Sequence, residues 1–308
     1  MLCSTIMCAQ ILDGREAREA LLPKLIEKIR RLPFVPTLAI IQVGERPDSN
    51  SYIRAKKNFA EKIEVKVRHI QVPENIPQAD LIQIIEECNA DSNIQGIIVQ
   101  LPIPAHLDRD TVINTIDPKK DVDALTVDSI QKWSEGEDIL SATARGVREL
   151  LNYYKIDLHD KKVTVVGRSE LVGKPIATMC KNEGAVVTVC HSKTVDLGAE
   201  TKPADIIICA VGKPELIRAE YVREGQIIVD VGINEIFDES LENESKNGLK
   251  AESNKEIAND PMRRKLVGDV DFESVKNIVA AITPVPGGVG QMTVLALFEN
   301  LADICSSK

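Results

Sequence analysis

No stretch of this 308-residue chain approaches the ~18 consecutive apolar residues that a membrane-spanning helix needs. Basic residues are in deficit as well. Lys and Arg number 38 against 47 Asp and Glu, a formal net charge of −9. An acidic chain lacks the clustered positive charge that nucleic acid demands. Cysteine occurs seven times (Cys3, Cys8, Cys88, Cys180, Cys190, Cys209 and Cys305), with no Cys-x-x-Cys and no Cys/His spacing that suits zinc. Free thiols in a reducing compartment are expected, and no metal site. The opening residues are too short and too poor in Arg for a transit peptide, so a cytoplasmic location is expected.

What is present is a core-forming composition, 44% hydrophobic and 28% charged, in a chain long enough for two domains. Ala17, Ala20, Leu21, Leu25, Ile29 and Leu32 recur at helical spacing, with Pro23 a candidate kink and Pro33 a stop. Residues 37–43 are almost wholly apolar and closed by Gly44, the pattern of a strand buried on both faces. Asp48 and Ser49 are candidate N-caps for a helix over 49–62. A strand is expected over 65–72, a helix over 79–88 and a strand over 96–101. Further strands are expected at 162–166, 185–190, 205–211 and 226–231, with buried-strand character again at 266–270 and a final amphipathic helix from Met292 to Ile304. Alternating helices and strands argue for α/β architecture with mostly parallel sheets. The expected domain boundary lies near 141–146. Residues 238–260, rich in acids, Asn and Ser, read as a solvated insertion.

Several motifs point to chemistry. In Val163-Thr-Val-Val-Gly-Arg-Ser-Glu-Leu-Val-Gly-Lys-Pro175 a strand runs into Gly167 and a helix begins near Gly173, a turn whose N–H groups can face phosphate. It is not the strict Gly-x-Gly-x-x-Gly fingerprint, and a plain strand-to-helix turn is the alternative. The next strand ends in Cys190-His-Ser-Lys193, without the acid that an NAD enzyme uses on the ribose. Arg168, Ser192 and Lys193 suit a 2′-phosphate instead, which favours NADP. Tyr52 and Lys56 share one helix face, where a desolvated amine can become a proton acceptor, or where both simply decorate a surface. Gln100 ends an apolar strand and either meets backbone or faces a ligand. Asp121 and Asp123 offer carboxylates to a heterocycle presenting two N–H donors, or belong to a charged loop. Residues 282–290, rich in Pro and Gly, form a stiff loop that allows close backbone approach.

Tyr52-x3-Lys56, Gly96-Ile-Ile-Val-Gln-Leu-Pro102, Lys120-Asp-Val-Asp123, Val166-Gly-Arg-Ser-x3-Gly173, His191-Ser192, Val267-Gly-Asp-Val270 and Pro284-Val-Pro-Gly-Gly-Val-Gly290 occur in this order. The chain thereby resembles the bifunctional methylenetetrahydrofolate dehydrogenase/cyclohydrolase family over nearly its whole length. It departs from the family pattern at residues 140–144, at Ala124 in place of Gly, and at Gln291 in place of Pro.

The resemblance implies two α/β domains flanking a cleft. The folate-binding catalytic domain is expected at 1–145, completed by 284–308, and a Rossmann-like NADP domain at 146–283. It implies NADP-dependent oxidation of methylenetetrahydrofolate to the methenyl cation, then hydrolysis to 10-formyltetrahydrofolate, within one-carbon metabolism and purine biosynthesis. Lys56 is then the catalytic lysine, with Tyr52 positioning it, Gln100 acting with it on water, and Asp123 anchoring the pterin. Val99, Leu101, Pro284, Val285, Pro286, Gly287 and Gly288 complete the folate site. Gly167, Arg168, Ser169, Ser192 and Ile233 contact NADP. The implied partners are tetrahydrofolate substrates and a second copy, bound through the nucleotide domain.

Overall fold

A computed structural model describes residues 9–135, 140–237 and 264–307. In chain order the elements are β1 (Gln10–Ile11), α1 (Gly14–Arg30), β2 (Thr37–Val43), α2 (Pro47–Lys62), β3 (Lys66–Val72), α3 (Gln78–Ala90), β4 (Gly96–Val99), α4 (Arg109–Asn114), α5 (Val127–Ser134) and α6 (Ala142–Tyr153). They continue with β5 (Lys162–Val166), α7 (Gly173–Asn182), β6 (Val186–Cys190), α8 (Leu197–Thr201), β7 (Ile206–Cys209), β8 (Ile227–Asp230) and β9 (Asn234–Phe237). The last are β10 (Arg264–Val267), α9 (Phe272–Val275), β11 (Ala281–Ile282) and α10 (Val289–Ser306). The expected insertion at 238–260, Cys3 and Cys8 lie outside the described residues.

The chain forms two compact units. One comprises Gly14–Asp157, Glu170–Asn182 and Gly290–Lys308. Its sheet is parallel, in the order β3-β2-β4. Ala39, Ile41 and Val43 of β2 and Ile97 and Val99 of β4 alternate onto one face, where they meet Leu81, Ile85 and Cys88 of α3 and Val112 and Ile113 of α4. The opposite residues Leu38, Ile40 and Ile98 are buried too, so the β-branched run is covered on both sides. Gly96 lets β4 approach closely: a Cβ there would stand 2.5 Å from Val122 and 2.8 Å from Leu301 of α10. Phe298 of α10 packs on Phe59 of α2, with ring centroids 5.5 Å apart.

The other unit comprises Met1–Asp13, Leu158–Ser169 and Glu183–Val289. Its parallel six-stranded sheet has the order β1-β11-β8-β7-β5-β6. The chain leaves β5 for β6 on one side and resumes at β7 on the other, so the strand order reverses at β5. That reversal is the switch point where doubly wound sheets take their ligands. Strands β9 and β10 form a separate antiparallel ribbon.

Two sequence expectations are corrected. Helix α2 starts at Pro47 with Arg46 as N-cap and no side-chain cap bond, so Asp48 and Ser49 fall inside it. Proline suits the first helical position because its missing N–H is unpaired there anyway. Residues 266–270 are not one buried strand: β10 ends at Val267 and Leu266 is exposed, while Val267 and Val270 are buried. The three-stranded unit runs on to residue 157. Helix α6 stays with the three-stranded unit because Gly146 abuts the Met292 backbone and Arg145 pairs with Glu299 and Asp303 of α10. Residues 9–13 go with the six-stranded unit because β1 pairs with β11, and residues 284–289 join them.

Candidate active site

The three-stranded unit gathers four of the expected catalytic residues. Strand β2 and helix α2 are locked by a polar chain through the sheet. Buried Gln42 donates from Nε2 to Asn50 Oδ1 (2.7 Å) and accepts on Oε1 from His69 Nε2 (2.8 Å), while Lys57 Nζ donates to His69 Nδ1 (2.9 Å). Burial, aided by Lys57, pushes the His69 pKa down, so the ring is neutral and can accept that bond. Asn50 and Lys57 lie on α2, so the network fixes the helix that carries Tyr52 and Lys56.

Lys56 is half-buried, and its Nζ donates to Gln100 Oε1 at 2.8 Å. Gln100 is itself tied down: its N–H donates to Ile41 O (2.8 Å) and its Nε2 to Leu101 O (2.8 Å). Burial pushes the Lys56 pKa below its ordinary value, against the attraction of Asp123. Asp123 is pushed up to about 6 by burial, an effect the Lys56 ammonium and the Ala142 N–H oppose and Asp121 reinforces. Burial thus eases proton loss from Lys56 and favours proton retention on Asp123, while the attraction between their charges opposes both shifts. Tyr52, one turn before Lys56, is exposed. Val99 and Leu101 direct their side chains into the core beneath, so Gln100 alone of the three points the other way. The Leu101–Pro102 peptide is cis.

The two aspartates of the Lys-Asp-Val-Asp motif separate cleanly. Asp121 is fully buried and accepts from Thr126 N and Ser129 Oγ, both at 2.8 Å, at the start of α5. Both bonds fall on Oδ2 and tie this buried carboxylate to the fold, whereas Asp123 remains half-exposed. Lys120, to which sequence reasoning gave no separate role, is buried and donates to three carbonyls, Cys88 O (3.1 Å), Asn89 O (2.7 Å) and Asp91 O (2.8 Å). It closes the C-terminus of α3 with a cation, where the helix dipole is negative.

The six-stranded unit gathers the expected cofactor residues and, with them, residues 284–288. Gly167 ends β5 with φ +127°, and a Cβ there would collide with the Ala210 carbonyl oxygen at the end of β7. Only glycine lets the two strand ends meet at the switch point. Arg168, Ser169 and Ser192 are exposed just beyond the carboxyl ends of β5 and β6, and no carboxylate follows β6 before Asp196. Ile233, after β8, is exposed for a large apolar residue. These features fit a dinucleotide with a 2′-phosphate. Gly287 has φ +114°, and Gly288 has its Pro284 carbonyl 2.5 Å from where a Cβ would stand. Missed in the sequence were the roles of Asp230 and Asp269. Each is a lone acid closing or interrupting an apolar run, which was the available signal.

Fold and site together define a two-unit α/β protein with a lysine–glutamine–aspartate centre and a Rossmann-like sheet. Residues 12–123 match the model for the tetrahydrofolate dehydrogenase/cyclohydrolase catalytic domain, and residues 141–308 match that for the NAD(P)-binding domain of the same family. The bifunctional protein FolD of Exiguobacterium sibiricum is 40% identical over 296 residues, covering 95% of this chain and 98% of that protein. The crystal structure of the bifunctional FolD dehydrogenase/cyclohydrolase from Campylobacter jejuni superposes with a TM-score of 0.86 at 37% identity, covering 97% of this chain and 99% of that one. The Trypanosoma brucei methylenetetrahydrofolate dehydrogenase-cyclohydrolase, solved with NADP cofactor and inhibitor, gives 0.86 at 32% identity, covering 97% and 98%. The chain belongs to the tetrahydrofolate dehydrogenase/cyclohydrolase family.

Proposed function

We infer that this protein oxidises 5,10-methylenetetrahydrofolate with NADP and hydrolyses the resulting 5,10-methenyltetrahydrofolate to 10-formyltetrahydrofolate. The observation that carries the reading is the 2.8 Å bond from Lys56 Nζ to Gln100 Oε1 beside Asp123, in a chain with both family domains. Gly167, Arg168, Ser169, Ser192 and Ile233 would hold NADP, which when bound supplies the acceptor for the hydride leaving the bridge carbon. Arg168 and Ser192 would donate to its 2′-phosphate.

The chain's own residues perform the second step. The methenyl compound is a cation at the carbon that water attacks, and a fixed ammonium would repel it. Burial makes the Lys56 ammonium easier to deprotonate, and the amine so formed takes a proton from the attacking water. It can return that proton to N5 as the bond from the bridge carbon to N5 breaks, the second water proton leaving to solvent. Gln100 Oε1 accepts one Nζ–H and so aims the lone pair. Tyr52 bounds the same helix face. The Asp123 carboxylate receives the paired N–H donors of the pterin, which it does as an anion. Residues 284–288 belong to the six-stranded unit, where Gly287 leaves its backbone open.

Two coarser features accompany this reading. Among the described residues no helix is long and apolar enough to cross a membrane, and Cys88, Cys180, Cys190, Cys209 and Cys305 are free thiols, which supports a cytoplasmic enzyme. Edge strand β6 leaves Val186 and Val189 exposed, which supports a homodimer formed along it. The product is a formyl donor suited to one-carbon metabolism, including purine synthesis. Mixing the pure protein with methylenetetrahydrofolate and either NADP or NAD tests the first step. NADPH formation well ahead of NADH formation is expected; no reduced nucleotide in either case would refute the reading.

A further inference from the structure

Two buried carboxylates stand at the carboxyl edge of the six-stranded sheet, neither of them used in the steps above. Asp269 is wholly buried. Its Oδ2 accepts from Val211 N (2.6 Å) and Gly212 N (3.1 Å), and its Oδ1 accepts from Lys213 N (2.9 Å) and Asn234 Nδ2 (2.9 Å). Asp230, the last residue of β8, accepts on Oδ1 from Gly232 N (2.9 Å) and Asp269 N (3.0 Å) and on Oδ2 from Val270 N (2.9 Å). The glycines beside them are spatial necessities. A Cβ on Gly232 would run into the Asp269 carboxylate, and one on Gly268 into that of Asp230.

Three successive backbone N–H groups converging on one point form an anion nest, an arrangement that binds phosphate when it is left open. Here the nest after β7 is filled from within the chain. Its donors are spent on Asp269, so the turn at 211–213 offers shape to a ligand rather than charge. The same carboxylate holds Asn234, and Asp230 holds Gly232. Ile233 is therefore clamped on both sides while its own side chain stays 42% exposed. The strand ends of β7 and β8 are thus set by two internal carboxyl groups beside the switch point.

We propose that Asp269 is a positioning residue for the dehydrogenase step, fixing the turn at 211–213 and Ile233 in the shape that receives the nicotinamide cofactor. The proposal rests on the functional reading above, and it predicts a separation of the two activities. Hydrolysis of supplied methenyl compound depends on Lys56, Gln100 and Asp123, none of which touches Asp269 or its donors.

The test uses the full chain and two variants, Asp269→Asn and Asn234→Ala. Calorimetry reads NADP binding, melting reads the fold, and both half-reactions are assayed on each preparation. Asp269→Asn turns an amide toward backbone donors, and NADP should bind at least about tenfold more weakly, given the charge-assisted bonds lost. Asn234→Ala removes one partner and keeps the carboxylate; its NADP affinity should fall about three- to tenfold with the melting temperature nearly unchanged. In both, KM for NADP rises while kcat for hydrolysis of methenyltetrahydrofolate stays at the wild-type value. If Asp269→Asn fails to fold, Asn234→Ala decides. Wild-type NADP affinity in the folded variants would overturn the proposal. So would a parallel loss of both activities with a lowered melting temperature, which would make the carboxylate a support of the fold alone. A wild-type protein that binds no NADP would instead remove the functional reading, and this inference with it.

Discussion

Replacing Lys56 by Met isolates the hydrolytic step. Met keeps the bulk of the stem and a good helix propensity, so α2 should survive. The loss of one charge-assisted bond to Gln100 Oε1 costs about 1.5–3 kcal/mol. It is offset because a buried ammonium, whose solvation opposes folding, is gone. Stability should therefore change by no more than about 1 kcal/mol. The kinetic effect is larger. A positioned proton acceptor contributes about 10²–10⁴-fold, so hydrolysis of supplied methenyltetrahydrofolate should fall by that factor. Oxidation depends on orientation of the bridge carbon and needs no proton acceptor there, so dehydrogenase activity survives in part. Removing the cation also removes what holds the Asp123 pKa down, so Asp123 should titrate above its present value of about 6. The assay measures both half-reactions on one preparation, with the methenyl compound supplied directly for the second. Wild-type hydrolysis by the Lys56→Met protein, above the uncatalysed rate, would refute the assignment and most of the site with it.

Arg168→Ala should raise KM for NADP about 10- to 150-fold and leave NAD nearly unaffected, since each lost charge-assisted bond to the 2′-phosphate is worth about 1.5–3 kcal/mol; equal losses for both cofactors would place Arg168 elsewhere. For Asp123, the ionised form receives the pterin, so kcat/KM for folate substrates should fall as pH drops through about 6. An Asp123→Asn variant should be weak at every pH and show no such limb; a limb that persisted would belong to another group. Lys120→Met strands three carbonyls at the end of α3 and should lower unfolding stability by about 2–4 kcal/mol in urea titration. A change under 1 kcal/mol would show that water replaces the ammonium without penalty.

Strands β2, β5, β7 and β8 were legible because each is a short β-branched run between breakers, and burial on both faces leaves no other reading. The start of α2 was not. Asp48 and Ser49 have the chemistry of caps, but Pro47 has the fixed φ of a first helical residue, and proline won. The limits of the compact units were not legible because their determinants are long-range. Nothing local in Gln10–Ile11 announces a strand pairing with residues some 270 positions away, and α6 is claimed by Arg145 reaching α10. The site divided in the same way. Lys56, Gln100 and Gly167 stand out by local contrast, an amine on a helix face, an amide ending an apolar strand, a glycine ending another. Which of Asp121 and Asp123 is available could not be read, because Thr126 and Ser129 decide it. Lys120 and Asp269 stayed hidden for a similar reason: their partners are backbone groups, which carry no sequence signature.

One chain performs two consecutive reactions, at a lysine centre and a nucleotide sheet. A single time course tests it, with the pure protein, methylenetetrahydrofolate and NADP in one vessel and NADPH, methenyl- and 10-formyltetrahydrofolate quantified together. 10-Formyltetrahydrofolate should accumulate in step with NADPH, with methenyl compound never exceeding a small share. NADPH accompanied by methenyl compound that decays only at its uncatalysed rate would contradict it.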